Sequence, residues 1–258
     1  MLRFKNLGSG STGNATVVEA SDGLHTSRLL VDCGLGIRTI AQRLGQAGLA
    51  PQLLDGIFIT HEHSDHIGCV QKLARSHRIP VWMSAGTHQG MAQADFDGLL
   101  HTVADNDVVA LGALQFTPFA VPHDAREPLQ LTCTDGANRL GILTDLGHAD
   151  LNVMQHLTGC HALLLECNHD PALLSHSSYP AFLKRRISGP YGHLDNLAAA
   201  SIAAAAAAAG ARQIVAAHLS RQNNRPDLAL QALAEAPGCA QLALSVADPQ
   251  SGSDWFIV

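Results

Sequence analysis

The run HEHSDH at residues 61–66 constrains this chain more than any other feature of its sequence. It follows directly on a predicted strand, so its polar side chains stand where the backbone leaves the core. In an extended segment, residues i and i+2 face the same side, so His61 and His63 can hold one ion while Asp65 and His66 face a neighbouring one. Imidazole and carboxylate are ligands for Zn²⁺, Mn²⁺ and Fe. The run therefore predicts a metal site.

Composition supports a metal site and bounds the class of protein. Fifteen histidines are more than chance supplies, and histidine is the commonest metal ligand. With 258 residues and 47% hydrophobic side chains, the chain can bury the core of one large domain, residues 1–258. The net charge of -6 means that any nucleic-acid partner must be met by a local basic patch, because the overall field repels a polyanion.

The apolar segments and the cysteines indicate where the protein works. The longest uncharged apolar segment, the alanine-rich 197–209, is too short and too weakly hydrophobic to span a bilayer, so no membrane partner is expected. No apolar signal-peptide segment follows residues 1–4. The six cysteines show no CxxC pair and no disulfide-dense spacing. We therefore expect a soluble protein of the cytoplasm.

Short β-like runs alternate with helical patterns along the whole chain. Strands are predicted at residues 16–20, 28–32, 56–60, 80–84, 114–121, 129–134, 139–144, 162–166 and 213–217. Helices are predicted at residues 37–47, 67–76, 179–187, 196–209 and 226–234. Gly210 stops the alanine-rich helix, and Asn223 and Asn224 suit capping positions ahead of Pro226. Mixed strands covered by helices on two faces, an α/β architecture, form the predicted fold class.

Further ligands are predicted where later strands end. His123, Asp145 and His218 each follow a buried strand, as His61 does, and rigid strand ends are good places to hold a site. Two ions can then share the predicted donors, with Asp145 bridging them. One ion takes His61, His63, His123 and Asp145, and the other takes Asp65, His66, Asp145 and His218.

These residues together resemble the metallo-β-lactamase superfamily, over nearly the whole chain. The superfamily has an HxHxDH run, a later histidine, a bridging aspartate and a final histidine, and a turn like VDCG around Asp32. Five segments are similar to the WalJ/YycJ group of small exonucleases, namely GSGSTGNA (8–15), LLVDCGLG (29–36), ECNHD (166–170), GHLDN (192–196) and HLSRQNN (218–224). The resemblance implies an αββα sandwich of two mixed sheets flanked by helices. It also implies 5′-to-3′ DNA exonuclease activity in repair, with two divalent ions, Zn²⁺, Mn²⁺ or Fe.

The resemblance also implies a mechanism. A hydroxide shared by two cations attacks the phosphorus, and Asp65 orients it. His193 matches a histidine that serves as proton donor or phosphate contact in RNase Z, RNase J and cyclic phosphodiesterases of this fold. The RNase Z pattern has a glutamate three residues before the bridging aspartate, where this chain has Ile142. The proton-shuttle pair of that enzyme is therefore predicted to be incomplete here.

Residues around the ligands have less specific assignments. Asp32 is predicted to orient a ligand histidine by a hydrogen bond, and a plain turn aspartate is the alternative. Possible substrate contacts are Ser9, Ser11, Asn14, His169, Ser220 and Asn223, with loop, turn or capping roles as the alternative. The basic residues suited to a nucleic-acid backbone are Lys184, Arg185, Arg186, Arg221 and Arg225, and a solvated helix face explains the first three equally well.

Three functions compete on these observations. A DNA exonuclease is favoured by GHLDN and HLSRQNN. A small-molecule cyclic phosphodiesterase, or a thiolester or lactone hydrolase, is the alternative, because an almost identical site attacks carbonyls, although a thiolesterase usually carries an added C-terminal substrate-binding region. A binding protein with a metal site and no turnover is disfavoured, because the ligand set is complete.

Overall fold

The computed structural model describes residues 1–258, which form fourteen strands and nine α-helices. The strands are β1 Leu2–Gly8, β2 Ala15–Ser21, β3 Thr26–Val31, β4 Gly56–Phe58, β5 Val81–Met83, β6 Leu100–Thr102, β7 Val109–Leu111, β8 Leu114–Ala120, β9 Leu129–Thr134, β10 Arg139–Leu143, β11 Ala162–Glu166, β12 Gln213–Ala217, β13 Ala243–Val246 and β14 Phe256–Ile257. The helices are α1 Ile37–Gln46, α2 Ser64–Ile67, α3 Val70–His77, α4 Ala85–Gly90, α5 Leu151–Leu157, α6 Pro171–His176, α7 Ala181–Ile187, α8 Asn196–Ala208 and α9 Pro226–Glu235.

The strands form two mixed sheets, as the resemblance implies, and each sheet has seven strands. The first sheet has the order β14-β1-β2-β3-β4-β5-β6, and the second has the order β13-β12-β11-β10-β9-β8-β7. Strands β3 to β6 run parallel to one another, and so do β10 to β13. No helix is both long enough and apolar enough to cross a bilayer.

Three apolar clusters hold the layers together. One lies between the sheets, where Phe58 of β4 packs edge-on against Phe116 of β8 with ring centroids 5.8 Å apart. A second joins the first sheet to α1 and α3, and a third joins the second sheet to α5, α8 and α9. Each sheet is thus buried on both faces, which explains why its strands have apolar residues in continuous runs. The αββα sandwich predicted from the resemblance is confirmed.

Every predicted strand and helix has a counterpart, but one predicted helix is interrupted. Residues 67–76 form the end of α2 and most of α3, because Gly68 adopts φ 27° and breaks the helical path. The predicted capping by Asn223 and Asn224 is wrong, since Arg225 occupies the N-cap of α9 without a side-chain cap. Five strands were not predicted, namely β1, β6, β7, β13 and β14.

One edge of the sandwich collects the predicted functional residues. Strands β3 and β4 end at this edge, as do β10, β11 and β12, because parallel neighbours have their carboxyl ends on the same side. Strand β8 ends there too, because both β8 and β10 are antiparallel to β9. Three non-glycine residues just beyond these strands adopt left-handed backbone conformations: Asp32 at φ 60°, Asp145 at φ 58° and His218 at φ 55°. Such conformations are uncommon outside glycine and concentrate at functional sites.

Candidate metal centre

Three histidine rings meet at the end of β4 and β8 and form what we call the three-histidine cluster. His63 Nδ1 lies 3.0 Å from His61 Nε2 and 3.3 Å from His123 Nε2. Two of the other ring nitrogens are held by neutral partners, with Thr60 Oγ1 3.0 Å from His61 Nδ1 and the Gly192 carbonyl oxygen 3.0 Å from His123 Nδ1. His63 Nε2 instead lies 3.9 Å from the Asp124 carboxylate. Burial lowers the pKa of His61 well below its usual value and also lowers the pKa of His123. Both imidazoles are therefore neutral at pH 7 and available as ligands.

A second group, the mixed cluster, contains Asp65, His66, Asp145 and His218. His66 Nε2 lies 3.0 Å from Asp145 Oδ2 and 3.6 Å from Asp65 Oδ2. His218 Nε2 lies 3.7 Å from the same Asp65 oxygen. Asp145 also groups with His61 and His66, so it faces both clusters.

The donor sets fit divalent ions. Asp145 Oδ2 and His218 Nε2 are buried, yet neither has a hydrogen bond of acceptable geometry. A buried polar atom without a partner costs free energy, so two such atoms within the mixed cluster suit an ion as their partner. Nitrogen and carboxylate oxygen at this spacing suit a divalent transition metal. The seven predicted ligands thus form two neighbouring groups that can each hold an ion.

Asp32 lies directly behind the mixed cluster. Its Oδ2 lies 2.7 Å from His66 Nδ1, and its Oδ1 accepts hydrogen bonds from the backbone and hydroxyl of Thr60 at 2.9 and 3.0 Å. This turn approaches the HEHSDH run so closely that a Cβ on Gly34 would lie 1.6 Å from the carbonyl oxygen of Asp65. Although burial opposes the charged form, Asp32 and Asp145 raise the pKa of His66 well above its usual value.

Glu166 is the residue that sequence reasoning missed. Its Oε1 lies 2.9 Å from His193 Nδ1 and 2.8 Å from His218 Nδ1, and its Oε2 accepts from the backbone of Leu146 and Leu194, both at 3.1 Å. Although burial opposes ionisation, His193 and His218 lower the pKa of Glu166 to about 2. The sequence did contain one signal for it. Glu166 is the last residue of a buried strand, and Asp145 likewise lies just beyond the end of one.

Glu166 contacts His193, although this chain has Ile142 at the position where the RNase Z pattern has its glutamate. Ile142 is buried in the core between the sheets and does not face the site. The carboxylate that holds His193 comes instead from the neighbouring strand β11. Although burial opposes it, Glu166 raises the pKa of His193, so this ring retains a proton more readily than a free histidine.

A cavity of about 400 Å³ opens over the mixed cluster. Only three of its fifteen lining residues are hydrophobic, so it suits a polar ligand. Of the predicted substrate contacts, Ser11 and Ser220 line this cavity, while the others are buried around it. Tyr179 and Asp124 line it too, although the sequence did not single them out.

The buried members of that set have other neighbours. Ser9 Oγ accepts a hydrogen bond of 2.6 Å from the backbone of His218, and Asn14 Nδ2 lies 3.0 Å from His66 Nε2. Asn223 donates through its backbone to Ser220 Oγ at 3.2 Å. His169 pairs with Asp195 through a β-bridge, and its Nδ1 has no partner.

The predicted basic cluster does not form one patch. Arg186 is paired with Asp124 at 2.6 Å, Arg225 with Asp227 at 3.1 Å, and Lys184 donates to the Ser175 carbonyl at 2.6 Å. Arg185 and Arg221 are exposed and have no carboxylate partner within 4.0 Å. Only two of the five cations are thus free to meet a phosphate.

Comparison with known proteins places the chain in a family. The sequence profile of the Beta-lactamase superfamily domain matches residues 27–219. The chain is 34% identical over 239 residues to the exodeoxyribonuclease YycJ of Bacillus anthracis, covering 91% of this chain and 88% of that protein. It is 31% identical over 250 residues to the exodeoxyribonuclease WalJ of Streptococcus pneumoniae, covering 95% and 91%.

A solved structure agrees on the fold. The metallo-β-lactamase fold protein YhfI from Bacillus subtilis superposes with a TM-score of 0.75 at 17% identity, covering 99% of this chain and 98% of that one. The profile match and the two relatives agree with the metal-ligand geometry of the strand ends. The chain therefore belongs to the beta-lactamase superfamily, among the metal-dependent hydrolases that include YycJ and WalJ.

Proposed function

We propose that this chain is a metal-dependent phosphodiesterase that removes nucleotides from the 5′ end of DNA. The observation that carries the proposal is the polar cavity of about 400 Å³, which has the mixed cluster at its base and His193 in its wall. The relatives YycJ and WalJ are named exodeoxyribonucleases, which supports DNA as the substrate.

Two divalent ions, Zn²⁺, Mn²⁺ or Fe, are the proposed cofactors. The three-histidine cluster holds one and the mixed cluster the other, with Asp145 serving both. When bound, such a pair supplies an activated water and stabilises charge on the attacking and leaving oxygens of a phosphodiester. The unpartnered Asp145 Oδ2 and His218 Nε2 support this assignment.

Two residues that line the cavity have proposed roles in the reaction. Asp65 lines the cavity and orients the attacking water. His193 is fixed by Glu166 through Nδ1, which leaves Nε2 to give its proton to the leaving oxygen. Both roles are proposals that rest on placement at the cavity wall.

We further propose that residues 1–258 form one domain and that the protein works in the cytoplasm. Both sheets share one core and both supply donors to each cluster, which supports a single domain. All six cysteines are free thiols, which suits a reducing compartment. The polar lining of the cavity disfavours the acyl groups of thiolesters and lactones, whereas a small cyclic phosphodiester fits it.

The first experiment is degradation of a 5′-phosphorylated, 3′-labelled DNA strand by metal-replete protein, in Mn²⁺ and in Zn²⁺. We expect processive shortening from the 5′ end. Asp65→Ala removes a ligand and abolishes it, whereas Asp254→Ala, which removes an exposed carboxylate, leaves it intact.

If the strand stays intact although elemental analysis shows that the protein holds two ions, the proposed exonuclease activity is wrong. Cyclic nucleotides and then thiolesters would be the next substrates to test. Shortening that persists in Asp65→Ala would instead indicate a contaminating nuclease.

A further inference from the structure

A second depression adjoins the catalytic cavity. It has a volume of about 180 Å³ and lies between the loop at residues 9–12 and the turn at residues 219–222. The two hollows share Ser11, Tyr179 and Ser220 in their walls. A ligand that leaves the catalytic cavity past Tyr179 therefore enters the second depression.

The lining of this depression suits a phosphodiester. Arg221 is exposed there without a carboxylate partner, and its Nη2 lies 3.5 Å from Thr12 Oγ1. Ser11, Thr12 and Ser220 add hydroxyl groups, and no acidic residue lines the hollow. A guanidinium among hydroxyl donors, with no competing carboxylate, is a site for a phosphate group.

Tyr179 offers an aromatic ring to the base of the same nucleotide. It is half-buried and forms part of the wall between the two hollows. Bases of single-stranded nucleic acid stack on aromatic rings at about 1–3 kcal/mol per base. The catalytic cavity, near the lower end of the roughly 300–1,000 Å³ of ligand sites, takes one terminal nucleotide and leaves the following one outside.

We propose that this depression binds the second nucleotide of a single-stranded nucleic acid, counted from the cleaved end. Arg221, Ser11 and Thr12 bind its phosphate, and Tyr179 stacks on an unpaired base. The inference rests on the proposed function for the kind of ligand, but it concerns binding and not cleavage.

The test measures binding in a protein that does not cleave. A 5′-phosphorylated, 3′-fluorescein-labelled hexanucleotide is titrated by anisotropy with Asp65→Ala protein in Mn²⁺, at several salt concentrations. Arg221→Gln is added to that background, and Arg38→Gln is the matched control, because Arg38 is an exposed arginine of α1 that lines neither hollow.

We expect Arg221→Gln to raise the dissociation constant roughly tenfold or more, as for a lost charge-assisted hydrogen bond. The slope of log affinity against log salt falls by about 0.7, the value for one contact to a single strand. Tyr179→Leu weakens binding about 5- to 150-fold without changing that slope. Arg38→Gln changes binding less than about twofold.

Equal affinity and equal salt slope in the Arg221→Gln and Arg38→Gln proteins would overturn the subsite, as would no binding by the parent. Binding that depends on Arg221, in a chain whose unmutated form leaves DNA intact, would refute the exonuclease alone. The two proposals therefore fail on different observations.

Discussion

The two donor clusters lie side by side, yet the pKa values of their buried histidines are shifted in opposite directions. Burial lowers the pKa of His61 and His123 in the three-histidine cluster. In the mixed cluster, burial acts in the same direction but neighbouring carboxylates outweigh it. The pKa of His66 is raised well above its usual value, and that of His218 is raised to about 10.

The difference comes from the carboxylates around each ring. Neutral oxygens of Thr60 and Gly192 hold the outer nitrogens of His61 and His123. Carboxylates of Asp32 and Glu166 hold those of the mixed cluster. Within the cluster, Asp145 contributes most to the raised pKa of His218, followed by Asp65. The carboxylates near a ring, both ligands and outer partners, therefore decide whether an arriving ion must displace a proton.

Of the changes that test the difference between the two clusters, we expect Glu166→Gln to have the largest effect. Glutamine keeps the shape of the side chain but removes the charge that holds His218 and His193. Loss of such an outer partner lowers metal affinity about 10- to 100-fold. In a titration against a chromophoric chelator, we expect that loss for one of two bound ions and an unchanged affinity for the other.

The matched control for this experiment is Glu235→Gln, an exposed glutamate on α9. It should leave both affinities as they are. Equal weakening of both ions by Glu166→Gln would show that the clusters do not act separately, and the comparison would be wrong.

Varying pH sharpens the comparison in the unmutated protein. The raised pKa of His218 means that it is protonated below about pH 10, so an ion entering the mixed cluster displaces a proton. Its affinity should rise about tenfold per pH unit between pH 7 and 9 for each proton displaced. The lowered pKa of His61 and His123 means that the other ion finds them already neutral over this range.

Chelator competition at a series of pH values measures both affinities. One rising and one flat curve is the expected result. Two parallel curves would mean that the pKa difference between the clusters has no part in metal binding.

Asp195→Ala should have the smallest effect. Asp195 Oδ1 caps α8 by accepting from the backbone of Leu197 and Ala198 at 2.8 and 2.7 Å. Removing such a cap costs about 1 kcal/mol of the free energy of unfolding. Denaturant unfolding should show that loss, Asp195→Asn should restore it, and neither change should alter metal affinity. A change in metal affinity would give Asp195 a role in the site.

The two clusters also differ in how far the sequence could predict them. Four of the seven ligand positions fall within residues 61–66, so local spacing alone brings them together. His123, Asp145 and His218 could be predicted because each follows an apolar run. Glu166 could not be assigned, because its role depends on β11 lying beside β10 and β12, and single-sequence patterns do not give strand order.

The same limit explains the strands that were missed. Strand β1 pairs with β14, where Arg3 lies opposite Ile257. No local sequence pattern predicts a pairing between residues at the two ends of the chain. The interrupted helix at residues 67–76 has a local cause that apolar spacing does not show, since Gly68 leaves the helical conformation within an apolar run.

Each cluster takes donors from both sheets. His61 and His63 follow β4 of the first sheet, whereas His123 follows β8 of the second, and the mixed cluster is divided in the same way. An ion held by either cluster therefore links the two sheets of the sandwich. At a hundred times its dissociation constant, a ligand that binds only the folded state adds about 2.7 kcal/mol to the free energy of unfolding. Metal supply would then set the free energy of unfolding as well as the activity.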